Sequence, residues 1–402
     1  MRNTIMSVTS AGALLVLVVA VAAVSGLTLG PTQKEECATG KYPPPKTAEY
    51  QVPKYVVNLD LPAADRWTHI VKERAKSIVN LLTQFKDFLR ALDLQVAEMF
   101  INYIDHNFGN LTNTLPEPFA DEIKGISKAT GIPLGEVLMY NIFYEMFSMC
   151  TSIVAEDPAG KLYHARNLDF GLLMGWDIKN HTWVITESLR PMIMNIEFQM
   201  KGKVVYKAVT YAGFIGAITG MIPDVLTLSV NTRFSLTGGK IGIIEWLLGD
   251  HSSQWVSFLT RDVLTYSTSY QQAKEKLSQV ELIAPAYYIL GGNYSGQGCV
   301  ITRSREKALD IWELNPGKGV WYRLQTNYDH WKAPLFVDDR RTPGMRCMNQ
   351  TTQQNVGFAG LFNVLSTKPV LNKLTTYTAL MQVNAGKLET YKQHCDDPCW
   401  PW

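Results

Sequence analysis

A cysteine, an arginine and an aspartate fall around one point of the chain, and that point decides what chemistry the sequence supports. Cys150 opens the run Cys150-Thr151-Ser152-Ile153-Val154-Ala155. The turn-former Asp157-Pro158-Ala159-Gly160 follows, and Leu162-Tyr163-His164-Ala165-Arg166 leads on to Asn167 and Asp169. The two runs read as the arms of a β-hairpin. Counting back from that turn puts Cys150 opposite Leu168 and brings Arg166, Asn167 and Asp169 within side-chain reach of the thiol. A guanidinium nearby favours the thiolate, the form of cysteine that attacks carbonyl carbon, and a carboxylate can orient an amine. The bland alternative is an ordinary surface ion pair on a hairpin. A nucleophile also needs a base, and the nearest histidine in sequence, His164, is assigned to the hairpin's other face. A cut between Met149 and Cys150 supplies one instead, a free α-amine with pKa about 8.

Other chemistries find no support. No His-Glu-x-x-His is present, and the seven histidines (69, 106, 164, 181, 251, 330, 394) never pair at i, i+2 or i, i+4, so no local metal site is expected. There is no Gly-x-Ser-x-Gly elbow. Gly296-Gln297-Gly298 lacks the third glycine of a dinucleotide fingerprint, and Gly238-Gly239-Lys240 lacks the upstream glycine of a P-loop. No cofactor is expected. The remaining cysteines read as staples or core: Cys395 and Cys399 close a very small loop, while Cys37 lies in a proline-rich stretch and Cys347 in a loop after Arg340-Arg341, each among polar and turn residues where a disulfide between them fits. Cys299 begins the apolar strand Val300-Ile301 and reads as a buried free thiol.

The elements that must position Cys150 change character at that residue. Residues 31–65 are proline-rich (Pro43-Pro44-Pro45, Pro53, Pro62) and read as an extended lead-in. From Trp67, the residues Ile70, Val71, Ala75, Ile78, Val79, Leu82, Phe85 and Leu89 recur at three- and four-residue steps, one buried helical stripe that continues through Leu92, Val96 and Phe100 into Ile104. A short helix carries Ile123 and Ile126, and another runs from Leu134 to Met149. After Cys150 strands are expected at Trp183–Thr186, Met194–Gln199, Val204–Val209 and Leu226–Asn231. Helices follow at Ile241–Leu248, Trp255–Leu264 and Tyr270–Gln279, then strands at Tyr287–Gly291, Cys299–Thr302, Leu309–Leu314 and Trp321–Thr326. The class is α+β, with a helical segment ahead of layered sheets.

Composition bounds the partners. With 46% hydrophobic and 18% charged residues among 402, the chain is ordered and globular, neither disordered nor fibrous. A net charge of +2 gives no field that would neutralise several phosphates, so nucleic acid is excluded as a partner. Arg2, the apolar run Ala11–Val24 and the small exit Ser25-Gly26 have the layout of a signal peptide. That run is shorter than the roughly 20 residues a bilayer-spanning helix needs, which favours cleavage near Gly26 over anchoring. Sequons at Asn110, Asn180, Asn293 and Asn349 agree with glycosylation in the secretory pathway.

Longer strings carry a resemblance. Asn141-Ile-Phe-Tyr-Glu145, Cys150-Thr-Ser-Ile-Val-Ala-Glu-Asp157, Arg166-Asn-Leu-Asp-Phe-Gly171, Ile289-Leu-Gly-Gly-Asn293, Gln325-Thr-Asn-Tyr-Asp329, Asp338-Asp-Arg-Arg-Thr-Pro343, Leu365-Ser-Thr-Lys-Pro-Val-Leu-Asn-Lys373 and Asp397-Pro-Cys399 resemble the acid ceramidases, relatives of N-acylethanolamine acid amidases and bile-salt hydrolases. The match spans nearly all of the chain after the signal peptide. It implies an N-terminal nucleophile hydrolase with an αββα core, whose precursor cuts itself before the nucleophile. The expected division is then 1–26 signal peptide, 27–149 helical α-subunit and 150–402 catalytic β-subunit, tethered by a disulfide that Cys37 and Cys347 would form. Carried over by position, Cys150 is the nucleophile and its freed amine the base. Arg166 and Asp169 match the Arg-Asn-x-Asp motif that orients them, Asn327 the oxyanion asparagine and Arg340 the late arginine of the site. One position departs: the family reads Asn-Glu-Arg-Phe where this chain reads Asn231-Thr-Arg-Phe234, so no carboxylate role is carried to Thr232 and Asn231 becomes the polar neighbour of substrate.

The activity implied is hydrolysis of ceramide to sphingosine and fatty acid in the lysosome, reached by the secretory pathway with secretion as a second destination. A Cys150 thioester is the intermediate, and ceramide in membranes and a saposin-like activator are the partners. Stretches such as Met174-Gly175-Trp176 would rim the lipid groove. The alternative enzyme is an N-acylethanolamine acid amidase, and the alternative outside enzymology is a secreted lipid-binding or adhesion module with an inert Cys150.

Overall fold

The computed structural model describes residues 36–92, 102, 106–107, 109–142, 148–172, 174–234 and 241–401. The expected signal peptide and the helical continuation past Leu92 lie outside the described residues, apart from positions 102, 106 and 107.

Two sheets stack face to face between layers of helix, the αββα arrangement that the resemblance implies. The lead-in is not wholly irregular, because its residues Lys54–Asn58 form β1. A long helix α1 (Thr68–Leu92) follows, then α2 (Phe119–Thr130) and α3 (Leu134–Ile142). The hairpin is β2 (Ser148–Glu156) and β3 (Leu162–Phe170), and a small ribbon joins β4 (Trp176–Asp177) to β5 (Thr182–Trp183). Helix α4 (Val184–Leu189) leads into a meander of β6 (Ile193–Met200), β7 (Lys203–Tyr211), β8 (Thr219–Ile222) and β9 (Leu226–Thr232). Three helices, α5 (Ile241–Leu247), α6 (Val256–Tyr266) and α7 (Tyr270–Gln279), precede β10 (Ala286–Gly292), β11 (Gly298–Arg303), β12 (Ala308–Glu313) and β13 (Tyr322–Gln325). Helices α8 (Arg341–Thr351) and α9 (Phe358–Leu365) and strands β14 (Thr375–Gln382) and β15 (Lys387–Lys392) complete the chain.

The larger sheet has the order β1-β6-β7-β8-β9-β10-β11-β12 and the smaller β13-β2-β3-β14-β15. Every ladder within them is antiparallel except β1 on β6. Both faces of β2 are covered: Cys150 belongs to the large core cluster, while Ile153 and Ala155 pack with Leu361 and Leu365 of α9 on the other face. All nine residues of β2 are therefore buried, and its sequence shows none of the polar alternation of a half-exposed strand.

The hairpin register is the expected one, Cys150 opposite Leu168. Its turn is held by Asp157, whose Oδ1 accepts from the backbone of Ala159 and Lys161, with Gly160 at φ 80° where a β-carbon would be strained. The helical stripe holds for Ile70, Val71, Ile78, Leu82 and Phe85, while Val79 is 47% exposed. Three expectations are corrected. Ser148 and Met149 belong to strand β2, so the helix from Leu134 ends short of them. Only Trp183 of the segment Trp183–Thr186 is strand, because Ile185 and Leu189, four apart, bury one face of α4. Cys347 sits in helix α8, and its disulfide to Cys37 and that of Cys395 to Cys399 are both formed.

Segments before and after residue 149 share one core and one buried ion cluster. Glu122 of α2, fully buried, accepts from both terminal nitrogens of Arg261 on α6 (2.5 and 2.6 Å), from Arg66 (3.0 Å) and from the Trp67 indole (2.7 Å). Replacing Glu122 by Gln leaves two buried or half-buried guanidinium groups short of their counter-ion. Loss of one partner from such a cluster costs about 3–5 kcal/mol. The Glu122→Gln chain is expected to unfold at a correspondingly lower urea midpoint, and an unchanged midpoint would show that the cluster contributes nothing.

Candidate active site

Strand β13 accompanies β2 only as far as the pair Gln325–Ser152. Beyond it the backbone of Cys150 has lost a strand partner on that side, and two side chains take its place. Cys150 N–H donates to Asn327 Oδ1 (2.9 Å), and its carbonyl accepts from Arg340 Nη1 (2.8 Å). A polar backbone group buried without a partner costs about as much as a hydrogen bond lost, so these two residues make burial of Cys150 possible.

Arg340 is itself fully buried. Asp338 grips it through Nε (2.8 Å) and Nη2 (3.0 Å), and it donates further to Asn327 Oδ1 (2.7 Å), Thr151 Oγ1 (3.3 Å) and Asp169 Oδ2 (3.2 Å). Asp338 and Asp169 hold the guanidinium protonated against the desolvation that opposes it. Asp169 also accepts from Thr375 (2.7 Å) and Asn372 (3.1 Å). Burial pushes its carboxyl above the usual carboxylate range, against the pull of Arg340, Thr375 and Asn372.

The thiol faces the space between the sheets. Arg166 Nη2 lies 2.5 Å from Cys150 Sγ, and its Nη1 is fixed by the carbonyl of Ile218 (2.7 Å) and by Thr219 Oγ1 (2.9 Å). Negative charge on this sulfur would meet a cation already in position, the setting of a reactive cysteine. Cys299 is the opposite case: burial pushes its thiol up to about 11, which keeps it neutral.

Strand parity explains which expected neighbours arrive. Arg166 and Leu168 share the inward face with Cys150. Asn167 faces the helices, where it donates to the carbonyls of Leu365 (2.8 Å) and Val370 (3.1 Å), so its predicted reach to the thiol is corrected. Asp169 is joined to Cys150 through Arg340. His164 lies on the inward face, not the outer one, but Thr227 and Ser229 occupy its two ring nitrogens (3.0 and 2.8 Å). Asn231 stitches the sheets together, accepting from Ser152 (2.8 Å) and donating to the carbonyls of Gln325 (2.9 Å) and Thr326 (3.2 Å). Asn327 Nδ2 donates to the Thr232 carbonyl (2.7 Å). Trp176 sits beside Met149, in a cluster with Trp183, Leu172 and Leu374. Asn110, Asn180 and Asn349 are exposed, while Asn293 is half-buried with Nδ2 bound to the Asp224 carbonyl (2.7 Å).

Residue types alone did not single out Asp338, Thr219, Ser148 or Thr232. Asp338 was visible only as part of a string beside Arg340. An apolar pocket adjoins the hairpin, lined among others by Leu82, Phe85, Tyr140, Phe170, Tyr211 and Phe214. Phe170 lies two residues past Leu168 on the same face. Among the described residues no cluster of His, Cys, Asp or Glu could hold a metal ion, and no helix is long and apolar enough to cross a membrane.

Residues 150–397 match the family described as linear amide C–N hydrolases, choloylglycine hydrolase family. Residues 50–108 match the beta subunit of N-acylethanolamine-hydrolyzing acid amidase. The chain is 48% identical over 373 residues to an acid ceramidase of Bos taurus, covering 92% of this chain and 94% of that one. It is 47% identical over 389 residues to an acid ceramidase of Homo sapiens, covering 96% and 98%. Among solved structures, a Caenorhabditis elegans ortholog of N-acylethanolamine-hydrolyzing acid amidase superposes with a TM-score of 0.51 at 31% identity, covering 58% of this chain and 93% of that one.

Burial, aided by the Arg166 guanidinium, pushes the His164 imidazole down from 6.5 to about 3. Between those values only the unfolded chain takes up the proton, so stability is lost as pH falls through that window. A His164→Gln chain lacks this loss. Between pH 6.5 and about pH 4.5 the parent chain is expected to lose about 2 kcal/mol more than the variant, read from urea midpoints. Parallel losses would mean that His164 titrates as it does in water.

Proposed function

The chain belongs to the acid ceramidases, within the choloylglycine hydrolase family of linear amide C–N hydrolases, and on that premise we propose that it hydrolyses the amide of ceramide to sphingosine and a fatty acid through Cys150. The observation that carries this reading is the Arg166–Cys150 contact at a residue whose N–H and carbonyl are both held by side chains. That arrangement suits a residue destined to become a chain terminus. The family match also begins at residue 150.

Self-cleavage comes first. Cys150 Sγ attacks the Met149 carbonyl carbon, the C–N bond breaks, and the thiol proton passes to the departing nitrogen. Water then opens the thioester, leaving a Met149 carboxylate and a Cys150 with a free α-amine. With a pKa of about 8, that amine accepts the thiol proton as Sγ attacks the acyl carbon of ceramide. The proton goes on to the sphingosine nitrogen as its bond to carbon breaks. A second water, deprotonated by the same amine, hydrolyses the S-acyl enzyme, frees the fatty acid and restores the thiol. The net change is amide plus water to acid plus amine.

The residues divide the work. Arg166 holds sulfur, Asn327 Oδ1 holds the nitrogen that becomes the base, and Arg340 with Asp338 and Asp169 fixes the carbonyl of the same residue. To serve also as an oxyanion donor, worth about 3 kcal/mol in comparable hydrolases, Asn327 Nδ2 must exchange the Thr232 carbonyl for the substrate oxygen. The apolar cavity beside Phe170 has the chemistry of an acyl-chain site, and Trp176 stands on the Met149 side of the nucleophile. Asn231 would contribute by holding β13 rather than by touching substrate, because its amide is engaged with Ser152, Gln325 and Thr326. A lysosomal site, glycans at the four sequons, the two-subunit division at 149/150 tethered by Cys37–Cys347, and a saposin-like activator that presents membrane ceramide belong to the same reading. The match of residues 50–108 to an amidase subunit favours a second substrate class, N-acylethanolamines; parallel incubation with both lipids discriminates.

Cys150→Ala is expected to stay one chain on a reducing gel and to release sphingosine at least about 10⁴-fold more slowly. A Cys150→Ala chain that still separates into two pieces with a new terminus at 150 would falsify the self-cleavage step.

A further inference from the structure

We propose that Ser148 and Thr232 form a positioning pair that holds the acyl side of the Met149–Cys150 bond in its strand until it is cut. The inference rests on the self-cleavage reading above and assigns residues that the resemblance leaves out. Ser148 is fully buried at the start of β2, and its Oγ lies 2.5 Å from Oγ1 of Thr232, the last residue of β9 in the opposite sheet. Thr232 reaches the other side of the same bond as well. Its carbonyl accepts from Asn327 Nδ2 (2.7 Å), and Asn327 Oδ1 accepts from the Cys150 N–H (2.9 Å). One residue thus brackets the scissile bond, by its hydroxyl before the bond and by its carbonyl, through Asn327, after it.

Such a bracket is needed because β13 has already ended at Gln325, opposite Ser152. Without a neighbouring strand among the described residues there, side chains hold β2 on that side, and attack requires the Met149 carbonyl carbon to stay within about 3–3.5 Å of sulfur with its face presented. Hydroxyls can do this because they are neutral, remain bonded at any pH the protein meets, and leave no buried charge once the preceding segment moves away.

Thr232→Val removes the hydroxyl and keeps the shape, and Ser148→Ala removes the other partner by a smaller change. Each is expected to slow appearance of the chain starting at Cys150 about tenfold, the rate equivalent of one hydrogen bond. Cleavage is followed on reducing gels with N-terminal sequencing. The double variant should be no slower than either single, and Thr232→Ser should cut at the parent rate, a rescue that a packing role for the threonine methyl would not give. Parent-rate cleavage by folded Ser148→Ala and Thr232→Val, or multiplied losses in the double variant, overturns the pair. A parent chain that never cuts at 149/150 instead overturns the nucleophile reading, and this inference with it.

Discussion

A guanidinium with no exposed surface persists only if its donors are all met, and in this chain meeting those of Arg340 assembles the site. Its acceptors are Asp338, Asp169, Thr151, Asn327 and the carbonyl of Cys150. These come from β2, β3 and the segments following β13, so the requirement that one cation be satisfied draws together parts of the chain up to 190 residues apart. Replacing it by lysine would keep the charge and lose the fork, since an ammonium cannot address five acceptors from one plane. The backbone of Cys150 is therefore held by the same constraint that keeps a buried charge tolerable.

A second cation works on the other face of the same strand. Arg166 of β3 is anchored by Ile218 and Thr219, both on or beside β8, so the larger sheet orients the group with which the smaller one addresses its own sulfur. Polar contacts continue along this seam: Ser148 to Thr232, Ser152 to Asn231 and Ser229, His164 to Ser229 and Thr227. Sheets packed through apolar side chains alone can slide in small steps at little cost. A seam of paired hydroxyls and amides has one register in which every group is bonded, and that register places the Ile218 and Thr219 acceptors that aim Arg166 at the thiol.

What the sequence made legible follows from the range of the interactions. The Cys150–Leu168 pairing was readable because a tight turn fixes strand parity, and parity alone then puts Arg166 on the sulfur's face and Asn167 away from it. Asn327 and Arg340 carry no local signal, since they complete a strand that they are remote from in sequence, and only their surrounding strings marked them. Strands β14 and β15 and helix α9 went unread. Thr375–Gln382 is buried throughout, so it lacks the alternation that betrays a one-sided strand. The segment after Trp183 misled because Val184, Ile185 and Thr186 favour strands intrinsically, whereas packing of Ile185 and Leu189 into the core decided for helix.

Strand β1 pairs with β6, and Trp67, Ile70, Val71 and Ile78 enter the core cluster that also contains Cys150 and Leu168. The segment ahead of Cys150 is thus no removable wrapper. It completes a sheet edge and fills an interior. Continuous synthesis makes docking of that segment a unimolecular event at high effective concentration, and the Cys37–Cys347 bridge, spanning 310 positions, would preserve that proximity under the proposed cut. Two halves produced on separate ribosomes would face a bimolecular search with apolar surface uncovered, so a chain cut as proposed at 149/150 would have to descend from an intact one rather than be assembled from parts.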